Sequence, residues 1–171
     1  MGEEAFLEAV MGMRSKLYHV AMAILWSEQD AADAVQEAML KAWQRRGGLR
    51  DEERFEAWFT RILVNQCRDM QRCQIRRRRL MDEARQRQLS EASAAPNSEL
   101  FEAIHDLPEK LRLPVILYYF DGYSQRETGS ILGISEAQVK GRVRQAREKL
   151  RLDLKADGAL TDGEGRRNGH E

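Results

Sequence analysis

The chain of 171 residues has few of the side chains that usually carry chemistry or covalent cross-links. Its two cysteines, Cys67 and Cys73, are six positions apart, and its three histidines, His19, His105 and His170, are scattered. This pattern is typical of neither a disulfide framework nor a zinc site. Because no carboxylate pair, nucleophile motif or phosphate-binding loop is found either, we expect a protein that is not an enzyme and needs no cofactor.

Long apolar runs are also missing. No stretch approaches the roughly 20 residues that a membrane helix requires. The longest, residues 113–120, contains Pro114 and two tyrosines. The first residues, Met1 to Glu4, lack the basic start and the apolar core of a signal peptide. We therefore expect a cytoplasmic protein without membrane insertion.

Neither sign of charge is in excess, because 28 basic side chains balance 28 acidic ones. The charges are nevertheless arranged in blocks. Residues 61–80 contain seven basic side chains and one acidic one, and residues 111–155 contain nine basic and five acidic ones. Residues 81–110 lie between them, with three basic and seven acidic side chains. Two basic islands predict two separate surfaces that can meet phosphate.

Helical periodicity dominates the sequence and strand alternation is scarce, which predicts an all-α fold. Ser27 is a typical N-cap, and the apolar residues of 31–43 recur at the i, i+3, i+4 spacing of one buried helix face. Gly47 and Gly48 should end this helix. Its opposite face carries polar side chains and one exposed leucine, and consists of Asp33, Gln36, Glu37, Leu40 and Lys41.

A second long helix is predicted from near Phe55 into the arginine block, with Phe55, Trp58 and Phe59 in the core. Its basic stripe follows the three- and four-residue spacing of one helix face. The stripe consists of Arg61, Asn65, Arg68, Arg72, Arg76 and Arg79. Such a stripe can bind phosphates, and a solvated basic helix end is the alternative interpretation.

The pattern predicts two small helical domains, residues 1–80 and 101–155. They should be joined by a flexible linker at residues 81–100, where apolar periodicity is weak. Inside the second domain, Pro114 should kink or split its helix. The Gly-rich, polar segment 156–171 is expected to be disordered.

Residues 125–150 carry the pattern of a helix-turn-helix. Capping boxes begin at Ser124 and Ser135, and Gly133 lies in the turn between the two helices. The outward face of the second helix is basic and polar, and such side chains can reach base edges in the major groove. Its candidate DNA-binding residues are Gln138, Lys140, Gly141, Arg144 and Gln145. Gly141 costs about 1 kcal/mol in a helix interior, and close approach to DNA or simple tolerance would explain it equally well. We favour DNA binding over a plain helical hairpin.

These motifs together resemble a known family. In the second half, the segments Leu107–Arg112, Gly122–Ser124, Leu132–Ser135 and Arg147–Leu150 resemble region 4 of extracytoplasmic-function (ECF) sigma factors. In the first half, Asp33–Glu37, Trp43, Phe55–Ile62, Asn65, Asp69 and Arg72 resemble region 2. The resemblance covers about 125 residues in the family's order, with a linker where the family has one.

The resemblance implies a sigma-70-type factor that binds core RNA polymerase and promoter DNA. Region 2 would dock on the polymerase through the polar face of residues 33–41 and would open the −10 promoter element. Without the resemblance, a solvated face with one exposed leucine is the favoured interpretation of residues 33–41. Region 4 would recognise the −35 element. Asn65 and the loop between Gly47 and Glu56 are the candidates for base contacts in the −10 element. Many relatives are held inactive by an anti-sigma factor, which adds such a protein to the candidate partners.

A helix-turn-helix regulator that acts without polymerase is the alternative function, and such proteins usually bind paired half-sites as dimers. That function needs neither the 33–41 face nor a second basic island, so we favour the sigma factor. The chain has Gln138, Gly141 and Gln145 where relatives commonly have Thr, Ser and Arg. These departures leave the −35 preference open. Gly129, in place of the usual alanine, is expected to cost a little stability.

Overall fold

The structure, a computed structural model, describes residues 2–49, 51–82 and 99–156. Within these ranges it contains α-helices, short 3-10 turns and one π-helical turn, and it contains no β-strand. The α-helices are α1 (Glu3–Gly12), α2 (Arg14–Leu25), α3 (Glu28–Arg45), α4 (Phe55–Asp82), α5 (Glu99–His105), α6 (Glu109–Val115), α7 (Gln125–Leu132) and α8 (Glu136–Ala156). The predicted all-α class is confirmed.

Some predictions lie outside the described residues. They concern most of the predicted linker (residues 83–98), the segment after residue 156, and the side chain of Arg79. At the two ends of the linker, α4 continues to Asp82 and α5 begins at Glu99.

Helices α1 to α4 form a bundle whose centre is filled by alanines and phenylalanines. As predicted, the Ser27 hydroxyl caps α3 by accepting a hydrogen bond from the backbone N–H of Asp30 at 3.2 Å. The buried face of α3 consists of Ala31, Ala34, Ala38 and Ala42, whose small side chains let α2 and α4 approach closely. The rings of Phe6, Phe55 and Phe59 fill the adjoining space. Phe55 and Phe59 are therefore core residues as predicted, whereas Trp58 is only half-buried.

The helix that contains Pro114 loses its regular geometry soon after that residue. Pro114 lies inside α6, and the chain continues as a π-helical turn at Ile116–Phe120. Proline lacks the N–H that would bond to the carbonyl four residues earlier, and its ring crowds that carbonyl. The predicted interruption of this helix is confirmed, and it takes the form of a wider turn.

The helix-turn-helix is present as predicted. Ser124 caps α7, since its hydroxyl accepts from the Glu127 N–H at 3.2 Å and the Glu127 carboxylate accepts from the Ser124 N–H at 2.8 Å. Gly133 ends α7 with a φ of 72°, in the left-handed region that favours glycine. A Cβ at Gly129 would lie 2.7 Å from the carbonyl oxygen of Ile134. The expectation that Gly129 merely costs stability is therefore wrong for this backbone, because an alanine there would force the turn to shift.

The second unit packs directly on the first. One buried cluster combines residues of α1 to α4 with Leu113, Leu117, Tyr123, Ile131 and Leu132. A second cluster packs Ala146 and Leu150 of α8 onto α5 and α6. The two predicted domains thus share a core in this structure, with α7 against α4 and α6 against α2.

Polar contacts accompany this packing. We call the packing of α6, the π-helical turn and α7 on α2 and α4 the seam. Arg112 crosses the seam, donating from Nε to the Ala23 carbonyl oxygen at 3.0 Å. The hydroxyl groups of Thr60 and Tyr123 share a buried hydrogen bond of 2.8 Å. Arg68 Nε lies 3.2 Å from Glu109 Oε1. Each contact joins residues that are 41 to 89 positions apart.

Candidate nucleic-acid interface

The outward face of α8 is free for a ligand. Val139, Val143 and Ala146 anchor the helix in the protein and are buried. The predicted DNA-binding residues Gln138, Lys140, Gly141, Arg144 and Gln145 are all exposed. Because they lie on one side of a helix held from behind, the structure brings them together as one surface, as the spacing predicted.

The side chain of Gln138 also takes part in the cap of α8. Its side-chain Oε1 accepts a hydrogen bond from the backbone N–H of Ser135 at 2.9 Å, and its own N–H donates to Ser135 Oγ at 3.2 Å. This is the predicted capping box at the start of α8. The side-chain oxygen of Gln138 is thus held at the protein backbone, which leaves its amide NH₂ group to meet DNA.

Gly141 lies in open space, since nothing stands within 4 Å of where a Cβ would be. No contact within the described protein therefore requires glycine at this position, in contrast to Gly129. The side chains of Lys140 and Arg144 flank it on the exposed face. Arg144 Nε lies 3.9 Å from Glu148 Oε1, a loose surface pair that leaves the guanidinium available.

A second basic surface runs along α4. Arg61, Asn65, Arg72 and Arg76 are exposed, as the helical spacing predicted. Arg68 differs from them, because it is half-buried and paired with Glu109 of the second unit. The stripe is therefore real, but in this arrangement one of its members is held by the seam.

A cleft of about 710 Å³ lies between the loop before α4 and the start of α7. Arg54, Trp58, Arg61 and Arg126 are among its lining residues. Arg54 pairs with Asp51 at 2.9 Å, whereas Arg61 and Arg126 have no ion pair among the described residues. The cleft therefore holds two arginines able to meet an anion.

Arg126 is a basic residue of this cleft that the sequence did not single out. Its signal was an exposed basic residue in the first turn of the first helix of a helix-turn-helix. Next to it, hydrogen bonds from the Ser124 hydroxyl and backbone N–H lower the pKa of Glu127, so this capping carboxylate is ionised at neutral pH.

The predicted partner face of α3 is also exposed. Asp33, Gln36 and Glu37 point to solvent, and the side chain of Leu40 is 57% exposed. A single exposed leucine is common on protein surfaces and does not by itself identify a contact site, so the docking role of this face remains a prediction from the family resemblance. Lys41 is half-buried and donates to Gln66 Oε1 of α4, so it contributes less to this face than predicted.

Within the described residues, the structure supports neither a metal site nor a reactive thiol at Cys67. No group of three or more His, Cys, Asp or Glu side chains among them could hold a metal ion. Burial raises the pKa of Cys67 to about 12, so its side chain is an inert thiol. None of the described helices is both long enough and apolar enough to cross a membrane.

The fold defines an all-α protein of two packed units, the second of which contains a helix-turn-helix. Residues 10–88 match Sigma-70 region 2, and residues 98–150 match Sigma-70, region 4. The chain therefore belongs to the sigma-70 family, as an ECF sigma factor.

Individual relatives support this assignment. The chain is 30% identical over 164 residues to the probable RNA polymerase sigma factor RfaY of Xanthomonas campestris pv. campestris. This match covers 89% of this chain but only 41% of that protein. It is 29% identical over 136 residues to the ECF RNA polymerase sigma factor SigM of Mycobacterium tuberculosis, covering 79% of this chain and 69% of that protein.

Solved structures share the arrangement of helices. The sigma factor RpoE in complex with the anti-sigma factor NepR from Bartonella quintana matches with a TM-score of 0.74 over 90% of this chain and 99% of that one, and its 24% identity supports the fold alone. CnrH in complex with the cytosolic domain of CnrY matches with a TM-score of 0.67 and 27% identity, over 91% of each chain.

Proposed function

We propose that this chain binds core RNA polymerase and directs it to specific promoters. One observation carries the proposal: sigma regions 2 and 4 follow each other in the family's order, and each presents an exposed basic helix. The chain itself performs no catalysis in this role, and the cytoplasm is where it would act. Nothing in the structure favours a regulator that works without polymerase.

The outward face of α8 would recognise the −35 element. Lys140 and Arg144 are its exposed cations, and Gln145 and the amide of Gln138 add donors that can reach base edges. Gly141 lies between them without a side chain, which permits close approach of the helix backbone to DNA.

The α4 stripe and the loop before α4 would serve the −10 element. Arg61, Arg72 and Arg76 would bind phosphates, which position the duplex without reading its sequence. Asn65, exposed on the same helix, and the 47–56 loop are our candidates for base contacts. A base extruded from the opened duplex would be held there by stacking and by hydrogen bonds to its edge.

The polymerase would dock on the exposed face of α3. Burial of Leu40 in an interface would contribute about 1 to 2 kcal/mol, and the surrounding Asp33, Gln36 and Glu37 would set orientation. A direct test compares the affinity of Leu40→Asp and Leu7→Asp variants for core polymerase. Leu7 is a matched control, because it is a leucine of α1 that is 50% exposed and lies outside the proposed face.

We expect Leu40→Asp to weaken binding to core polymerase at least tenfold and Leu7→Asp to leave it unchanged. Equal affinities would remove α3 as the docking face. If even the unaltered chain binds core no better than an unrelated helical protein, the proposed function fails.

The two units would separate when both promoter elements are bound. By their names the elements lie about 25 base pairs apart, which is about 85 Å along a straight duplex at roughly 3.4 Å per base pair. In the structure the units touch, with Thr60 and Tyr123 hydrogen-bonded at 2.8 Å. The sixteen residues 83–98 can span at most about 55 Å, and the units themselves cover the rest. We infer that the seam opens when both elements are bound.

An anti-sigma factor is a further candidate partner. The solved RpoE structure is a complex with the anti-sigma factor NepR, and CnrH is in complex with the cytosolic domain of CnrY. For this chain, such a protein would act by covering the α3 face or by holding the seam closed. Its presence would be shown by co-purification of a partner that lowers the affinity for core polymerase.

A further inference from the structure

One buried carboxylate lies in the seam without compensation. Asp121 follows the π-helical turn of the second unit and faces α2 of the first, and its side chain is 1% exposed. Neither of its carboxylate oxygens has a hydrogen-bond partner among the described residues. The nearest basic side chain is that of His19, whose Nδ1 lies 3.7 Å from Asp121 Oδ1, beyond hydrogen-bond distance.

The charged groups around Asp121 do not offset its burial. From α2, Lys16 also acts on Asp121, but its Nζ is held by Glu56 Oε2 of α4 at 2.8 Å. Glu56 and Glu127 are further acidic groups of the same neighbourhood, and the Tyr123 hydroxyl is bonded to Thr60. His19 is 59% exposed, so solvent screens its attraction.

We propose that Asp121 weakens the packing of the second unit on the first, so that the seam is poised to open at neutral pH. Taking a carboxylate out of water without a hydrogen-bond partner is unfavourable. When the seam opens, water reaches Asp121 and that cost disappears. A neutral side chain of the same shape would close the seam more tightly.

The size and sign of the effect follow from proton linkage. Burial raises the pKa of Asp121 to about 6 in the closed arrangement, and the charge of His19 opposes this rise. In the open arrangement the pKa returns to its ordinary value of about 3.9. The closed form thus binds the proton more tightly, so acid favours closing. As the pH rises from roughly 4 to 6, the equilibrium constant for closing the seam falls about tenfold per pH unit. Above this range it stays about 100-fold below its value at low pH.

Opening would release groups that the proposed function needs. Arg68 would leave Glu109, and the cleft beside Arg61 would lose its α7 wall. Only this consequence rests on the proposed function. The closing equilibrium is a property of the free chain and can be measured without polymerase or DNA.

The test uses fluorescence energy transfer across the seam of the full chain. One dye is placed on Cys73, which is exposed on α4, and the other on Leu152→Cys, at a position of α8 that is 64% exposed. Buried Cys67 does not compete for the dyes because its thiol is not ionised. The ratio of high-transfer to low-transfer populations gives the closing constant from pH 4.5 to 7.5.

We expect Asp121→Asn to raise the closing constant about 100-fold at pH 7.5 and to remove most of its pH dependence. An Asp121→Asn chain that closes no more tightly than the parent overturns the proposal. Asp153→Asn is the matched control, since this carboxylate pairs with Lys149 at 3.4 Å near the end of α8, outside the seam. Asp153→Asn should change neither the closing constant nor its pH dependence.

A second variant keeps the proposal testable if Asp121→Asn fails to fold. His19→Gln alters an exposed side chain and removes the charge that lowers the pKa of Asp121. The midpoint of the pH response should therefore move to higher pH, and the seam should close less at neutral pH. A closing constant that does not respond to pH in either the parent or the His19→Gln chain, or a midpoint that moves to lower pH, would show that Asp121 does not control closing.

Discussion

Replacing Arg112 with methionine should destabilise the fold strongly. Arg112 is 7% exposed, and its guanidinium donates three hydrogen bonds to backbone carbonyls: Nε to Ala23 at 3.0 Å, and Nη1 to His105 at 2.7 Å and to Leu107 at 2.8 Å. It also stacks over the ring of Trp26, with Cζ 4.4 Å from the ring centroid. Methionine keeps the apolar stem and removes every donor.

The magnitude follows from these contacts. Hydrogen bonds from a charged donor contribute about 1.5 to 3 kcal/mol each. Their sum is offset by the cost of burying the guanidinium, which also lowers the pKa of Arg112. Arg112→Met would leave three backbone carbonyls without their partner, and each buried acceptor left unsatisfied costs about 1 to 3 kcal/mol. We therefore expect Arg112→Met to lower the free energy of unfolding by about 3 kcal/mol or more.

The measurement is unfolding in guanidinium chloride followed by far-ultraviolet circular dichroism. Arg151→Met is the control, because Arg151 is exposed on α8 and should change stability by less than about 0.5 kcal/mol. If both variants unfold at the same denaturant concentration as the parent, Arg112 does not hold the seam and our account of it is wrong.

The remaining predictions concern single substitutions. Gly129→Ala should destabilise the chain by about 1 to 3 kcal/mol, since its Cβ would meet the Ile134 carbonyl oxygen at 2.7 Å, whereas Gly141→Ala should raise stability by up to about 1 kcal/mol in thermal unfolding. Arg144→Ala should weaken binding of the polymerase complex to the −35 element by about 1 to 3 kcal/mol and relax its base preference in competition assays. Arg72→Ala should reduce the slope of log K against log salt for promoter binding by about 0.9.

Each of these predictions is tested against a matched variant. Gly129→Ala and Gly141→Ala must change stability in opposite directions. Lys110→Ala, an exposed lysine of α6 outside the α8 face, should leave −35 binding unchanged. Arg14→Ala, an exposed arginine of α2, should leave the salt slope unchanged. If Arg72→Ala behaves in the same way, Arg72 makes no phosphate contact.

Local features of the fold could be predicted because their causes are local. The Ser27 and Ser124 caps act within three residues, and so does the Gly133 turn. A proline inside a helix predicts a break, and the regular α-helix ends one residue after Pro114. The spacing of the α4 stripe and of the α8 face likewise follows from 3.6 residues per turn.

The seam could not be predicted, because its partners are far apart in sequence. Nothing near Thr60 indicates Tyr123, and nothing near Arg112 indicates the Ala23 carbonyl. Two small domains with a linker were expected as separate bodies, and their shared core depends on tertiary packing. For the same reason, the sequence did not show that Gly129 lies against the backbone of the turn. In the fold, a Cβ at this position would be too close to the Ile134 carbonyl oxygen.

The most direct test of the proposed function is run-off transcription with purified core polymerase and fragments of the genome that encodes this chain. We predict transcripts that begin at defined promoters only when the chain is present, and that are lost with Leu40→Asp but retained with Leu7→Asp. Transcription that is no more promoter-specific with the chain than with core polymerase alone would contradict its role as a sigma factor.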